Sequence, residues 1–294
     1  MEMFKSLSDR LLFAIPKKGR LHQKCLDLLR GAQIEFTREH RLDIALVQNL
    51  PIALVFLPAG DIPRFVGEGN CDLGITGKDQ VAESGMDVHE LVDLDFGRCK
   101  LQVQAPANGP YRNVQQLIGK RIVTSFVKLT TDYFMELEGT SDMKTTIKYV
   151  GGSVEAACAL GVADGVVDLV ESGETMRAAG LVPINTVLET SAVLISSRRP
   201  AHAPLIKTIT SRIQGVITAH KYVLCTYNCP RDKLPFVTKI TPGRRAATIT
   251  PLDGGMWVAV SSMVETKKLG SIMDELEAAG ATDIIVFEMS NCRV

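Results

Sequence analysis

Leu11-Leu12-Phe13-Ala14-Ile15 is a short unbroken apolar run, and behind it Leu21, Cys25, Leu28 and Leu29 recur at helical spacing until Gly31. The run predicts a strand buried on both faces, and the spacing predicts an amphipathic helix packed against it. The alternation continues with a strand near 52–57, a helix opened by Asp61 with Pro63 in its first turn, a strand over Cys71–Ile75 and a helix from Lys78. From Leu101 a second cycle begins, with strands at 101–105, 121–124, 146–150 and 165–170 and helices near 113–118, 128–138, 153–160 and 173–179. This order predicts doubly wound α/β layers. Two extended stretches, 182–188 and 191–196, lead back, as in chains that leave and re-enter a lobe and enclose a cleft.

After an amphipathic helix over Leu205–Ala219 the pattern changes. Strand 222–227, helix 232–239, strands 247–251 and 256–263, helix 267–279 and strand 283–288 follow in the βαββαβ order of a ferredoxin-like unit. Gly254-Gly255 suits the hairpin between its middle strands, and Gly280 suits the residue after its last helix, where Leu269, Ile272, Met273 and Leu276 read as core. The expected division is 1–101 with 191–220 as a first lobe, 102–190 as a second, and 221–294 as a third domain.

Composition narrows the function classes. Of 294 residues, 46% are hydrophobic, and the 33 Lys and Arg balance the 33 Asp and Glu, so no global charge draws the chain to nucleic acid or an anionic membrane. An anion has to be met by a local site. No apolar run approaches the roughly 20 residues that span a bilayer, and the first ten positions lack an apolar signal region; the expectation is a cytoplasmic protein. Seven cysteines form no CxxC pair, and Cys225, Cys229 and Cys292 lack a fourth ligand for zinc. The five histidines show neither ligand spacing nor a Ser-His-Asp arrangement, and no G-x-G-x-x-G follows the first strand, which sets aside metallohydrolase and nicotinamide chemistry.

The most informative segment is Gly165–Thr175, where an apolar strand delivers Asp168 at its carboxyl end and a Ser-Gly-Glu-Thr loop opens a helix. Loop amides with the Ser172 and Thr175 hydroxyls suit a phosphate monoester; an ordinary capped helix fits the same residues. A carboxylate at the end of an apolar strand is costly without a partner, and ribose hydroxyls or Mg²⁺ would serve Asp168 together with Glu155; Glu155 equally suits a helix first turn. Lys17-Lys18-Gly19-Arg20 follows the first strand, where a cationic loop suits polyphosphate or a plain solvated turn. Arg41, Asp43 and Cys71–Gly77 form a second strand end whose small residues could admit a flat base or another phosphate; Gly67, Gly69, Gly74 and Gly77 equally suit plain turns.

With these residues the chain resembles the ATP phosphoribosyltransferases of the long, regulated form, which open histidine biosynthesis. Their signature is met by Glu155, Gly161, Ala163, Val166, Asp168, Leu169, Ser172, Gly173, Thr175 and Met176, with support from Pro16–Leu21, Asp72–Gly77, Arg212–Val216 and Thr241-Pro242-Gly243. The resemblance implies an α/β fold: a two-lobed, periplasmic-binding-protein-like core with a C-terminal ferredoxin-like domain. It implies that ATP and 5-phosphoribosyl 1-pyrophosphate (PRPP) give N1-(5-phosphoribosyl)-ATP and pyrophosphate, with Mg²⁺ on PRPP.

In that reading Glu171, Ser172, Gly173, Glu174 and Thr175 hold the PRPP 5-phosphate, Leu169 and Val170 belong to the same PRPP-binding segment, and Asp168 and Glu155 take ribose hydroxyls or the metal. Lys17 and Arg20 act electrostatically on the leaving group, and Arg41, Asp72, Gly74, Thr76 and Gly77 meet ATP. The resemblance further implies a homo-oligomer, from dimer to hexamer, inhibited by L-histidine at Asn228, Thr248, Met263 and Asp283. Family members commonly carry an acid where this chain has Asn228. The competing readings are a non-catalytic two-lobe ligand sensor and, for the last domain, a plain oligomerisation module.

Overall fold

The computed structural model describes residues 7, 9–39 and 42–293, so Arg41 lies outside the described residues. The first strand, β1 (Leu11–Pro16), is buried at every position but Leu12. Helix α1 (His22–Gly31) follows, then β2 (Ile44–Leu46), β3 (Ile52–Leu57), α2 (Ile62–Gly67), β4 (Leu73–Gly77), α3 (Lys78–Ser84) and β5 (His89–Asp93). β1 lies between β3 and β4, parallel to both, which explains its unbroken apolar sequence. β2 and β5 were not foreseen. β2 has only three residues, and β5, His-Glu-Leu-Val-Asp, is a largely exposed edge strand without apolar alternation.

The second lobe is built from β6 (Cys99–Pro106), β7 (Arg121–Thr124), α4 (Val127–Glu138), β8 (Thr146–Tyr149), α5 (Ala156–Ala159), β9 (Gly165–Val170), α6 (Glu174–Ala178) and β10 (Leu181–Thr190). Its strand order is β10-β6-β9-β7-β8, with Leu101, Val103, Ile122, Phe134 and Val167 in its core. The helix expected at 113–118 is one 3₁₀ turn, Val114–Leu117, closed by a capping box between Asn113 and Gln116. The chain then returns as β11 (Ala192–Ser196), which completes the first sheet as β2-β3-β1-β4-β11-β5. The two crossings between these sheets bond to each other: Leu94 N–H donates to Ala192 O and Ala192 N–H to Phe96 O, both at 2.9 Å.

Both lobes form one compact unit, Met1–Leu26 with Glu35–Ile206; Asp27–Ile34 and Lys207–Val294 form another. The boundary thus falls at Ile206 rather than at 220, because α7 (Ala203–Lys221) packs along the segment from Asp27. A Cβ on Gly31 would stand 3.0 Å from Val216 Cγ1, and Arg212 Nη1 donates to Gln33 O at 3.2 Å. The second unit continues with β12 (Tyr222–Pro230), α8 (Leu234–Ile240), β13 (Thr248–Pro251), β14 (Trp257–Glu265), α9 (Leu269–Ala278) and β15 (Thr282–Glu288). The order β13-β14-β12-β15, antiparallel throughout, is the ferredoxin-like sheet. Cys225, Tyr227 and Cys229 point into the core, and the Tyr227 hydroxyl meets Thr241 Oγ1 at 2.6 Å. Among the described residues no helix is long and apolar enough to cross a membrane.

Candidate active site

β9 carries Val166 and Val167 into the core and brings Asp168 out half-buried. Leu169 N–H donates to Asp168 Oδ1 at 2.8 Å, and buried Gln104 donates to Asp168 O at 3.4 Å. Burial, and then the charge of Glu155, push the Asp168 carboxyl above its ordinary range, against the Leu169 amide, which favours ionisation. Glu155, the residue before α5, thus lies near enough to act electrostatically on Asp168. Vicinal hydroxyls or a divalent cation would relieve that strain, so the donor set fits Mg²⁺. Among the described residues no cluster of three or more metal-binding side chains forms.

The chain turns next at Gly173, which takes the left-handed conformation at φ +75°. Glu171, Ser172, Glu174 and Thr175 are exposed around it. Glu174 N–H donates to Ser172 Oγ at 3.4 Å, and Arg177 Nη2 to Ser172 O at 3.1 Å. A Cβ on Gly173 would lie 2.7 Å from Arg177 Nη1, so the guanidinium reaches back across the loop. The helix behind it, α6, has only five residues, fewer than expected, and its dipole adds little. The loop gathers backbone amides, the Ser172 and Thr175 hydroxyls and the guanidinium of Arg177, a cation that the strand-to-helix pattern did not single out.

In the first lobe both cationic candidates have protein partners. Lys17 Nζ pairs with Asp43 at 2.9 Å, and Asp43 also lies 3.5 Å from Arg38, whose guanidinium stacks 3.9 Å over Phe56. Arg20 donates to Gly97 O and stands 3.6 Å from buried Asp79. Thr190 Oγ1 accepts the Asp79 N–H at 3.0 Å and donates to Asp79 Oδ1 at 2.7 Å. Arg20, Asp79 and Glu171 all act on Cys99; burial first, with the two acids, pushes that thiol up to about 11 against the pull of Arg20. Cys99 is therefore a neutral thiol at physiological pH.

A cavity of about 560 Å³ opens where the two sheets meet, lined by Lys78, Asp93 and Ser191 on one side and Lys100, Glu171 and Thr190 on the other. Its lysines are neutralised locally, Lys78 by Asp93 and Lys100 by Glu189.

The residues expected at ATP divide. Asp72 sits before the amino end of β4, away from the strand end, with its carboxylate accepting Leu12 N–H at 3.0 Å and Ala201 N–H at 3.2 Å; it ties backbone segments and does not join the crevice. Gly74 serves packing: a Cβ there would stand 2.6 Å from Ile62 and 3.0 Å from Val66. Thr76 is buried and donates to Ala59 O at 2.7 Å. Gly77 opens α3, where a Cβ would stand 2.1 Å from Asp79 Oδ1.

In the second unit, Asn228 Nδ2 donates to Asp283 Oδ2 at 3.0 Å, and Thr282 Oγ1 donates to the same oxygen at 3.2 Å. Thr248 pairs with Ser261 and Met263 with Leu224. Thr248 and Met263 are thus diagonal neighbours, whereas Met263 lies four residues along the ladder from Asn228, about 13 Å. The four effector candidates form two separate pairs on one sheet.

The family model HisG: ATP phosphoribosyltransferase matches residues 58–215, and HisG, C-terminal domain matches 219–291. An ATP phosphoribosyltransferase of Yarrowia lipolytica is 66% identical over 296 residues, covering 100% of both chains. The chain belongs to the ATP phosphoribosyltransferase family. The ATP phosphoribosyltransferase of Saccharomyces cerevisiae is likewise 64% identical over 100% of both chains. A solved ATP phosphoribosyl transferase (HisG:HisZ) complex from Thermotoga maritima superposes with TM-score 0.59 at 24% identity, over 69% of this chain and 96% of that one, and shares the fold. The activity is accordingly that of an ATP phosphoribosyltransferase, an enzyme of histidine biosynthesis.

Proposed function

We propose that the first unit binds PRPP at Glu171–Thr175 and ATP toward the first lobe, and joins them as N1-(5-phosphoribosyl)-ATP with release of pyrophosphate. The observation that carries this is the Gly173 loop crossed by Arg177 and standing just beyond the Asp168–Glu155 pair. An anion site followed by two carboxylates matches a ribose 5-phosphate: the phosphate meets loop amides, Ser172, Thr175 and Arg177, and the vicinal hydroxyls meet the acids.

The reaction requires little proton transfer. N1 of adenine forms a bond to C1 of the ribose while the C1–O bond to pyrophosphate breaks and the leaving group keeps the electron pair. N1 carries no proton, so alignment and charge stabilisation suffice. Lys17 and Arg20 face the pyrophosphate, with the Gly74–Gly77 end of β4 beside the nucleotide. Asp168 and Glu155 are the residues that would hold Mg²⁺ not carried on the substrate, and the ion would supply charge neutralisation at the leaving group.

The ferredoxin-like unit senses L-histidine through Asn228, Thr248, Met263 and Asp283 and reports to the cleft within a homo-oligomer, dimer to hexamer, in the cytoplasm. The C-terminal family match and the Asn228–Asp283 amide–carboxylate pair support this assignment. The test is Mg²⁺-dependent adduct formation from ATP and PRPP, with and without millimolar L-histidine. Turnover suppressed by histidine is expected. Turnover indifferent to histidine would leave the last domain as an assembly module, and binding of both substrates without turnover would return the reading to a two-lobe sensor.

A further inference from the structure

Asp79 is a buried acid that the reaction, as derived above, does not use. Its side chain is 1% exposed, and a charge so placed is costly unless it is paired and hydrogen-bonded. Gln80 Nε2 donates to Oδ2 at 3.1 Å, while Oδ1 accepts the Thr190 hydroxyl at 2.7 Å and faces Arg20 Nη2 at 3.6 Å. Two glycines make room for this group. Any Cβ at Gly77 would stand 2.1 Å from Oδ1, and at Gly97, left-handed at φ +65°, one would stand 2.4 Å from Leu21 Cδ2 and 3.2 Å from Arg20 Nη1.

The cluster also joins remote parts of the chain. Thr190 ends β10 on the returning crossing, Gly97 lies on the outgoing one, and Arg20 follows β1. At 3.6 Å the Arg20–Asp79 contact exceeds hydrogen-bond length, so the acid fixes the guanidinium electrostatically and leaves N–H groups for another acceptor. Arg20 is 26% exposed, enough to meet a ligand.

We infer that Asp79 is a positioning residue: clamped by Thr190, its carboxylate holds the Arg20 guanidinium against the Gly97 carbonyl so that the remaining N–H groups face the departing pyrophosphate. This rests on the reading that Arg20 acts on the leaving group. Pyrophosphate gains charge only as the C1–O bond breaks, so a guanidinium held in place stabilises the transition state more than bound substrate. Loss of the clamp lowers kcat and leaves KM nearly intact, whereas a purely structural acid would lower thermal stability alone.

The experiment compares Asp79→Asn, Thr190→Val, Thr190→Ser, Arg20→Ala and the double variant Asp79→Asn/Arg20→Ala in full-length protein by steady-state kinetics and thermal unfolding. Asp79→Asn and Thr190→Val are expected to lower kcat about tenfold or more, with KM for both substrates within about twofold. Thr190→Ser, which keeps the hydroxyl, restores turnover, and the double variant is no slower than Arg20→Ala. Thr190→Val keeps the test open should Asp79→Asn fail to fold. If Arg20→Ala lowers kcat but folded Asp79→Asn and Thr190→Val do not, or if the two losses multiply, the inference is overturned while the role of Arg20 stands. Should Arg20→Ala leave kcat unchanged, the reading of Arg20 falls and the inference with it.

Discussion

Glu83 and Lys128 stand on different lobes, yet the Glu83 carboxylate accepts the Lys128 N–H at 2.8 Å and the adjacent Leu129 N–H at 2.9 Å. Helix α4 is preceded at its N-cap by Phe126, which offers no capping side chain, so an acid from α3 satisfies its first-turn amides and complements its dipole. Glu83→Ala is expected to cost about 1 kcal/mol and lower the thermal midpoint by a few degrees. Amide hydrogen exchange at Lys128 and Leu129 should quicken roughly fivefold, with a smaller effect in Glu83→Gln. Exchange unchanged in both variants would mean that this contact does not join the lobes in solution.

If Asp168 meets PRPP as proposed, substrate binding depends on pH. Burial and Glu155 raise its carboxyl above the ordinary range, so the folded protein holds this proton to higher pH than the unfolded chain does. The folded state is favoured by this group at acid pH, and that advantage is lost as pH rises from the unfolded value through the folded one. A ligand that needs the carboxylate therefore gains affinity over the same window. Calorimetric titration with PRPP and Mg²⁺ should show affinity rising with pH, and Asp168→Asn should flatten that part of the profile. A wild-type profile already flat there would remove the carboxylate from the PRPP site.

Much of the fold was legible because its signals are local. The apolar run of β1 and the βαββαβ order after Leu205 each follow from neighbouring residues. β5 was not legible, since an exposed edge strand has no apolar face to write into its sequence. The strand-to-helix loop at Glu171–Gly173 could be located because a strand-end acid and a Ser-Gly-Glu-Thr turn are contiguous. Asp79 could not, because its clamp Thr190 lies 111 residues away. The place of Asp72 was hidden for a similar reason: its carboxylate accepts the N–H groups of Leu12 and Ala201, 60 and 129 residues away, and spacing within Cys71–Gly77 carries no sign of either partner.

Gly173 and Arg177 should control PRPP rather than ATP. Gly173→Ala places an L side chain at φ +75°, at a cost of about 1–2 kcal/mol, and displaces the guanidinium 2.7 Å from the new Cβ. Arg177→Ala removes a charged donor worth about 1.5–3 kcal/mol to a phosphate, a rise of roughly ten- to a hundredfold in the KM for PRPP. The KM for ATP should change much less in either variant. Equal effects on both substrates would remove the 5-phosphate from this loop.

The Asn228–Asp283 pair sets the expected response to L-histidine. Asp283 holds φ +50°, an uncommon conformation that short polar side chains tolerate, and its Oδ2 is shared by Asn228 Nδ2 and Thr282 Oγ1. Asn228→Asp removes one donor and sets two carboxylates face to face, a repulsion that the amino group of the effector would relieve. Inhibition should therefore tighten, by about 1 kcal/mol or roughly fivefold in the half-inhibitory concentration, since the pair is partly exposed and screened. Asp283→Asn keeps the shape, loses the charge and should weaken inhibition by a similar factor. Dose-response curves at fixed substrate concentration measure both shifts. A half-inhibitory concentration unmoved in either variant would take the effector away from the junction of β12 and β15.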